Sequence, residues 1–352
     1  MKFKVNNKTL AAAMDTNVAG RSAVLAILDD FLIELKGNSL TITSTDLKNT
    51  VTSRVEVVGI ADGASCVPGA LFLSTLKQLP EQDVTISADI VCQIDAEQGR
   101  YKLPTNSASD FPAYEDVDGN KVDDDWDIFR SSISKVEFAT SRDELRQAMT
   151  GVYVEFGDVI TMVATDGYRL AEVTMPGAGD GAVIISKDTC TLLKGIDSVS
   201  ATICCSENQK RIRFGFDNIT VTGILIGAKF PAYKNVIPED LLYEVKVNRK
   251  ELIGSLKRVS LFGNKQTNAV KFAMNGDFKI TAADMDFGNE ATETIQAQSN
   301  AEMQVWYNSR IMQEVLSVMG GEDVTFNLRN PKTAAILKEH NSLYLVMPVV
   351  IE

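Results

Sequence analysis

Three stretches of this chain end in the same way. Leu40-Thr41-Ile42-Thr43-Ser44-Thr45-Asp46, Ile160-Thr161-Met162-Val163-Ala164-Thr165-Asp166 and Phe278-Lys279-Ile280-Thr281-Ala282-Ala283-Asp284 share one pattern and stop at aspartate. Alternation rich in β-formers predicts a strand. The aspartate predicts a turn, because its carboxylate bonds to its own backbone. A threefold repeat of this kind limits the fold more than composition does, since each copy must be an independent arrangement of the same elements.

Other markers recur around it. Phe3 and Val5 lead to Asn6 as a helix cap and to Leu10. Phe138-Ala139-Thr140 leads to Ser141 as cap, then Leu145, Ala148 and Met149; Val245-Lys246-Val247 leads to Asn248 as cap, then Leu252, Leu256 and Val259. In all three, cap and first leucine are four apart, and the copies are offset by 135 and 107 residues. A second helix is predicted at 70–79, 187–196 and 308–319, with strands beginning at Asp83 and Asp323 after the first and last. Phe111-Pro112-Ala113-Tyr114 and Phe230-Pro231-Ala232-Tyr233 are identical tetrapeptides, with proline stopping ladder pairing. These periods exceed solenoid units. The expectation is an α+β chain of three similar domains, 1–131, 132–243 and 244–352, each with two helices among antiparallel strands. Residues 116–127, with Asp123-Asp124-Asp125, read as a solvated loop at the first linker. The alternative there, a carboxylate cluster for a hard cation, lacks ligand-loop spacing.

The middle corner is the most distinctive. Asp166-Gly167 is a turn pair, and Arg169 stands beside apolar Leu170, which puts a charge next to a hydrophobic face. Taken alone it is also what an ordinary hairpin corner looks like.

The net charge of −12 disfavours nucleic acid and acidic membranes unless positive charge is gathered on one face. The predicted helices and caps gather it. They hold Lys8, Lys77, Arg142, Arg146, Lys187, Lys194, Arg249, Lys250, Lys257, Arg258 and Arg310 against six acidic residues, a surplus of +5 that leaves −17 elsewhere. Arg21 adds to the set. Helices lining one surface would attract phosphates without reading sequence; the plainer alternative is exposed faces of accidental sign.

Catalytic signals are thin. His340 is the only histidine, and no phosphate loop, nucleophile elbow or metal-ligand spacing is present. A carboxylate-dependent enzyme on a triplicated α+β scaffold is the alternative reading. Cys66, Cys92, Cys190, Cys204 and Cys205 are odd in number and form no C-x-x-C pair, as expected of reduced, mostly buried thiols in a cytoplasmic protein. The first residues lack a signal-peptide core, and no run is long enough to span a bilayer. An adhesion-type β protein is disfavoured by the same features.

Over essentially its whole length the chain resembles the bacterial DNA polymerase sliding clamp, the beta subunit of the replicative polymerase. The resemblance rests on Ala164-Thr165-Asp166-Gly167-Tyr168-Arg169-Leu170-Ala171, on Lys229-Phe230-Pro231-Ala232-Tyr233-Lys234-Asn235-Val236-Ile237-Pro238, and on Tyr344-Leu345-Val346-Met347-Pro348-Val349. Arg21-Ser22-Ala23-Val24-Leu25-Ala26-Ile27-Leu28 and Thr45-Asp46-Leu47 match in the first copy.

The resemblance implies three clamp domains forming half of a closed ring. It implies a head-to-tail homodimer around double-stranded DNA held by topology, and no catalysis, cofactor or metal. Arg21, Lys77, Arg142, Arg146, Lys187, Lys194, Arg249, Lys250, Lys257 and Arg310 would face the duplex. Polymerase, clamp loader and repair proteins would dock short peptides in a pocket between the second and third domains. Its matched lining is Met149, Thr165, Gly167, Tyr168, Arg169, Leu170, Pro231, Val236, Asn308, Leu345, Met347, Pro348 and Val349, with Val346 turned into the core. Leu71, Tyr101 and Leu103 at one end and Leu261 and Phe262 at the other would form the ring seam. Tyr168 stands where the family commonly has histidine, Val350 replaces a frequent basic residue, and Glu352 extends the terminus; these departures bear on peptide preference.

Overall fold

The structure, a computed structural model, describes residues 1–22, 24–114, 117, 120–206, 210–275 and 277–350. The element order recurs in three copies, the second with one short strand fewer among the described residues. The first copy runs β1 (Lys2–Asn6), α1 (Asn7–Ala13), β2 (Asp30–Lys36), β3 (Ser39–Thr45), β4 (Asn49–Glu56), β5 (Val58–Ala61), β6 (Gly63–Pro68), α2 (Gly69–Gln78), β7 (Asp83–Ala88), β8 (Val91–Ala96) and β9 (Gly99–Pro104). The second runs β10 (Asn120–Asp125), α3 (Trp126–Val136), β11 (Gly151–Glu155), β12 (Val159–Thr165), β13 (Arg169–Pro176), β14 (Ala182–Ser186), α4 (Lys187–Lys194), β15 (Ser200–Ser206), β16 (Arg211–Gly215) and β17 (Ile219–Ile224). The third runs β18 (Tyr243–Asn248), α5 (Arg249–Val259), β19 (Ala269–Asn275), β20 (Asp277–Asp284), β21 (Asn289–Ile295), β22 (Ala297–Ser299), β23 (Glu302–Asn308), α6 (Ser309–Val318), β24 (Asp323–Leu328), β25 (Ala335–Glu339) and β26 (Ser342–Val346).

Two of the three expected caps, Asn6 and Asn248, work as the sequence suggests, and Asn308 caps a helix in the same way. Asn6 Oδ1 accepts from the Lys8 and Thr9 amides at 3.0 and 3.3 Å. Asn248 Oδ1 accepts from Glu251 N at 3.0 Å, and Asn308 Oδ1 from Arg310 N and Ile311 N. Each satisfies amides that a helix start leaves without partners.

The middle copy departs from expectation. The helix predicted after Ser141 is a run of 3-10 turns, Glu144–Thr150, with Arg146 outside helical φ/ψ and Leu145 fully exposed. The segment 138–140 is not a strand. The first helix of this copy is α3, whose Trp126, Phe129, Ile133 and Val136 are buried at helical spacing. Its preceding strand β10 contains Asp123, Asp124 and Asp125, expected in a loop. Pairing with β15 supplies the ladder and overrides the poor strand propensity of aspartate. The boundary expected after residue 131 falls inside α3.

Two compact units result: 1–127 with 188–225, and 128–187 with 226–352. In the first unit, β5-β1-β7-β8-β9 form one sheet and β10-β15-β16-β17-β4-β3-β2-β6 another. In the second, β14-β11-β12-β13-β26-β25-β24-β18-β22 form one sheet and β21-β20-β19-β23 another. Each large sheet is therefore a fusion. The last strand of one copy pairs antiparallel with the strand after the corner of the copy before it: β17 with β4 (Val221 opposite Val51), and β26 with β13 (Tyr344 opposite Ala171).

Helices α1 and α2 cover the first unit's core, where Leu10, Phe72 and Leu76 meet Phe3, Ile86 and Ile94. In the second unit α6 buries Met312, Val315 and Leu316. The five cysteines are unbridged, four of them buried, and burial pushes the Cys66, Cys92 and Cys205 thiols up to about 12. No helix among the described residues is long and apolar enough to cross a membrane.

Candidate functional site

The corner between β12 and β13 is built by its own side chains. Thr165 Oγ1 donates to Arg169 O at 2.6 Å and accepts from Gly167 N at 3.1 Å. Asp166 Oδ1 accepts from Tyr168 N and Arg169 N at 2.9 and 3.0 Å. Gly167 takes φ of +90°, a conformation costly to residues with a Cβ. Arg169 then folds back. Its Nε meets Asp166 Oδ2 at 3.1 Å, its Nη1 donates to Glu314 on α6, and the guanidinium lies 5.1 Å from the Phe138 ring centroid. With its side chain only 11% exposed, this cation is spent on fixing the corner to α6. Arg146 braces the other side, bonding Asp143 at 2.9 Å and Asp166 O at 3.2 Å.

Beside the corner lies a cavity of about 440 Å³, wholly within the second unit. Val163, Leu170, Tyr233, Ala334, Ile336 and Leu345 form an apolar cluster under it. Nine expected residues line the wall: Met149, Thr165, Gly167, Arg169, Leu170, Pro231, Val236, Leu345 and Met347. Four stand outside it. Tyr168 is exposed at the rim, and its carbonyl accepts from Met347 N at 2.8 Å. Asn308 caps α6 and reaches Thr267 O at 3.2 Å. Pro348 and Val349 follow Met347, and Val349 N is tied to Trp306 O at 2.8 Å. Val346 is buried, as its strand phase predicts. Val350 is exposed, while Glu352 lies outside the described residues.

The wall also includes residues the sequence reading left out: Ala232, Tyr233, Asn235, Ile237, Pro238, Lys332, Thr333 and Ala334. Those at 232–238 sit in a motif already singled out. The 332–334 loop carries no sequence signal, because only the pairing of β24, β25 and β26 brings it to the corner. Asn330 Oδ1 holds it by accepting from Lys332 N and Thr333 N at 2.8 and 3.1 Å. Burial, then the Glu172 and Glu155 carboxylates, raise the Tyr233 phenol above its ordinary range, so it stays neutral. A second cavity of about 580 Å³, lined by 144–149, Ala228, Lys229 and Pro231, shares Met149 and Pro231 with the first. The combined lining is mainly apolar with a few fixed polar groups, suited to anchoring apolar side chains of an extended ligand.

The basic residues fall into three groups. Lys77, Lys250, Lys257 and Arg310 are exposed on helices, and Lys187 and Lys194 are half-buried at the two ends of α4. Arg21 and Arg142 are exposed but lie outside helices, as does Arg146 at the corner. Arg249 works inside the fold: its Nε and Nη1 donate to Gly321 O and Leu316 O at 2.6 and 2.9 Å, closing the end of α6. The six described α-helices hold eleven basic against four acidic residues.

Of the expected seam residues, Leu71, Tyr101, Leu261 and Phe262 are exposed. Leu103 is a correction: opposite Cys92 its side chain points into the first unit's core, leaving only its backbone on the open edge of β9. His340 is exposed at the β25–β26 turn. Among the described residues no three His, Cys, Asp or Glu side chains converge as metal ligands.

Three family models match, described as the N-terminal, central and C-terminal domains of the DNA polymerase III beta subunit, over 1–115, 125–232 and 234–350. The beta sliding clamp of Pseudomonas aeruginosa is 28% identical, aligned over 99% of this chain and 100% of the relative. That of Escherichia coli K12 is 26% identical, over 99% and 100%. The crystal structure of a Pseudomonas aeruginosa sliding clamp bound to griselimycin superposes with a TM-score of 0.94 at 26% identity, covering both chains fully. The Thermotoga maritima DNA polymerase III beta subunit shares the fold, with a TM-score of 0.92 at 24% identity over both chains.

Proposed function

This chain belongs to the DNA polymerase III beta subunit family, and from that premise we propose how its own residues close a ring, hold a duplex and receive a partner. It is a DNA sliding clamp, a non-catalytic processivity factor of replication. Its partners are DNA and the polymerase, and its working form is a homodimer.

The observation that carries the ring is the pair of unused edges. Every copy contributes a final strand and a post-corner strand. Two such pairs fuse inside the chain, which leaves β9 and β21 open. A heterologous contact between them repeats the internal seams and closes when two copies meet head to tail. By the register of those seams, Tyr101 would stand opposite Ala291 of the partner subunit and Lys102 opposite Glu290 of the partner subunit. The second pair is oppositely charged, and such cross-strand pairs favour pairing. Leu71, Leu261 and Phe262 would then be covered, and Leu103 would contribute backbone.

The duplex would run through the ring. Lys77, Lys187, Lys194, Lys250, Lys257 and Arg310 on the helices, with Arg21 and Arg142, would meet phosphates without reading bases. Arg146 and Arg249 are occupied elsewhere and would contribute field rather than contacts. The domains are taken as 1–131, 132–243 and 244–352, with α3 bridging the first junction. The corner cavity would take short peptides of the polymerase, the clamp loader and repair proteins in the cytoplasm, anchored by apolar side chains against Leu170, Val236, Leu345 and Met347.

The test of enclosure is retention on DNA. A clamp loaded on a closed circle should stay and should leave when the circle is cut once. Equal retention on both forms would show grip rather than enclosure and overturn this reading.

A further inference from the structure

The ring-closing seam differs from the two internal seams in three places, and the differences fit one another. The two-residue turns before β9, β17 and β26 align their strands, so that Tyr101, Val221 and Tyr344 correspond, as do Pro104, Ile224 and Met347. In the internal seams the last of these positions donates to the corner: Ile224 N to Lys48 O at 3.0 Å, and Met347 N to Tyr168 O at 2.8 Å. Pro104 has no N–H, so the third seam lacks this bond.

The third corner is also longer. Residues 285–288 separate Asp284 from Asn289, whereas only Leu47 and Lys48, or Gly167 and Tyr168, separate the equivalent pair in the other copies. The longer tip exposes Met285 at 92% and Phe287 at 79%. Finally, Thr333 and Ala334 flank the middle corner, and the residues at their positions in the first copy are Ile90 and Val91. Ile90 is 84% exposed, and Val91 is also open to solvent. Large apolar side chains thus stand bare at the two surfaces that the seam would bring together, a pattern that marks an interaction site.

We propose that Met285 and Phe287 pack on Ile90 and Val91 of a second copy of this chain, forming an apolar clasp in place of the backbone bond that Pro104 cannot make. The proposal rests on the head-to-tail reading above. The clasp sits at the rim of each seam, where a ring must part to admit DNA. Contact between side chains on a hairpin tip can be broken there without dismantling the ladder.

Sedimentation equilibrium and cross-linking test it together. The Met285→Ser/Phe287→Ser variant should raise the dimer dissociation constant by about tenfold or more, and Pro104→Ala should lower it by restoring a donor. An Ile90→Cys/Phe287→Cys chain should form a disulfide-linked dimer under mild oxidation, with wild type and each single variant as controls. A wild-type chain that stays monomeric at every concentration removes the ring reading itself. A wild-type dimer whose dissociation constant is unchanged by the serine pair, and whose cysteine pair fails to link, removes only the clasp.

Discussion

The corners at 45–49 and 165–169 are the same turn put to different use. In both, threonine bridges the turn: Thr45 Oγ1 donates to Asn49 O and accepts from Leu47 N, as Thr165 does with Arg169 O and Gly167 N. In both, the aspartate takes two amides: Asp46 those of Lys48 and Asn49, and Asp166 those of Tyr168 and Arg169. Both are followed by a fused seam. The fifth residue separates them. Asn49 is buried and accepts from Thr189 on α4 at 2.6 Å, a neutral bond inside a closed core. Arg169 spans to Glu314 on α6 and leaves a cavity at its shoulder. The turn serves the fold, and what is packed beside it decides whether the seam also carries a cavity.

The sharpest way to break this comparison is at matched seam residues. Met347 and Ile224 are equivalent and almost equally exposed, at 38% and 37%. Met347→Ala should weaken binding of an apolar clamp-directed peptide by ~30-fold, an anchor-sized loss. Ile224→Ala should leave it unchanged, as read by fluorescence polarisation; equal losses would mean that the cavity does not define the site. Thr189→Val comes next. It removes the donor to a buried amide oxygen and should cost about 1–3 kcal/mol in denaturant unfolding. Glu314→Gln, at a half-exposed carboxylate, should cost roughly 0.5 kcal/mol or less. Asp46→Ala and Asp166→Ala should each cost about 1–2 kcal/mol, like the loss of a cap. Only the second should also lower peptide affinity, because only there does the turn shape a wall.

What was legible in the sequence follows from which signals are local. An aspartate after alternating residues makes its turn with its own backbone, so the corners after Thr45, Thr165 and Ala283 stand where expected. Asn6 and Asn248 cap their helices for the same reason. Ser141 misleads because Leu145, Ala148 and Met149 follow it at helical spacing, yet the segment forms 3-10 turns broken at Arg146 and leaves Leu145 exposed. The true face, Trp126 to Val136, was hidden by three aspartates that only the partner strand β15 makes into a strand. The cavity wall divides similarly. Residues at 165–170 and 345–347 were readable because they are the corner and the strand fused to it. Lys332, Thr333 and Ala334 were not, since their position is set by a sheet assembled from distant segments. The charge surplus on the helices survived the misplaced one, because α3 is itself basic by Arg130 and Lys135 against Asp127.

The last pair of variants concerns the second residue of each turn. Leu47 holds φ of 74° and Gly167 holds 90°, so the first corner keeps a side chain where the backbone disfavours one. A left-handed conformation costs a residue with a Cβ about 1–2 kcal/mol, and glycine brings back about 0.5–1 kcal/mol of unfolded-state entropy. Leu47→Gly should therefore change stability by less than about 1 kcal/mol, in the stabilising direction. Gly167→Ala should destabilise by about 1 kcal/mol. Its new Cβ would sit 3.2 Å from Arg146 Nη1, the far end of a flexible side chain that can give way. That movement would loosen the brace on Asp166 O, so peptide affinity should fall slightly with stability, whereas Leu47→Gly should leave binding untouched. Urea titrations paired with peptide titrations on both variants would read this. A binding loss in Leu47→Gly would mean that the two corners are coupled, and the division of labour drawn between them would fail.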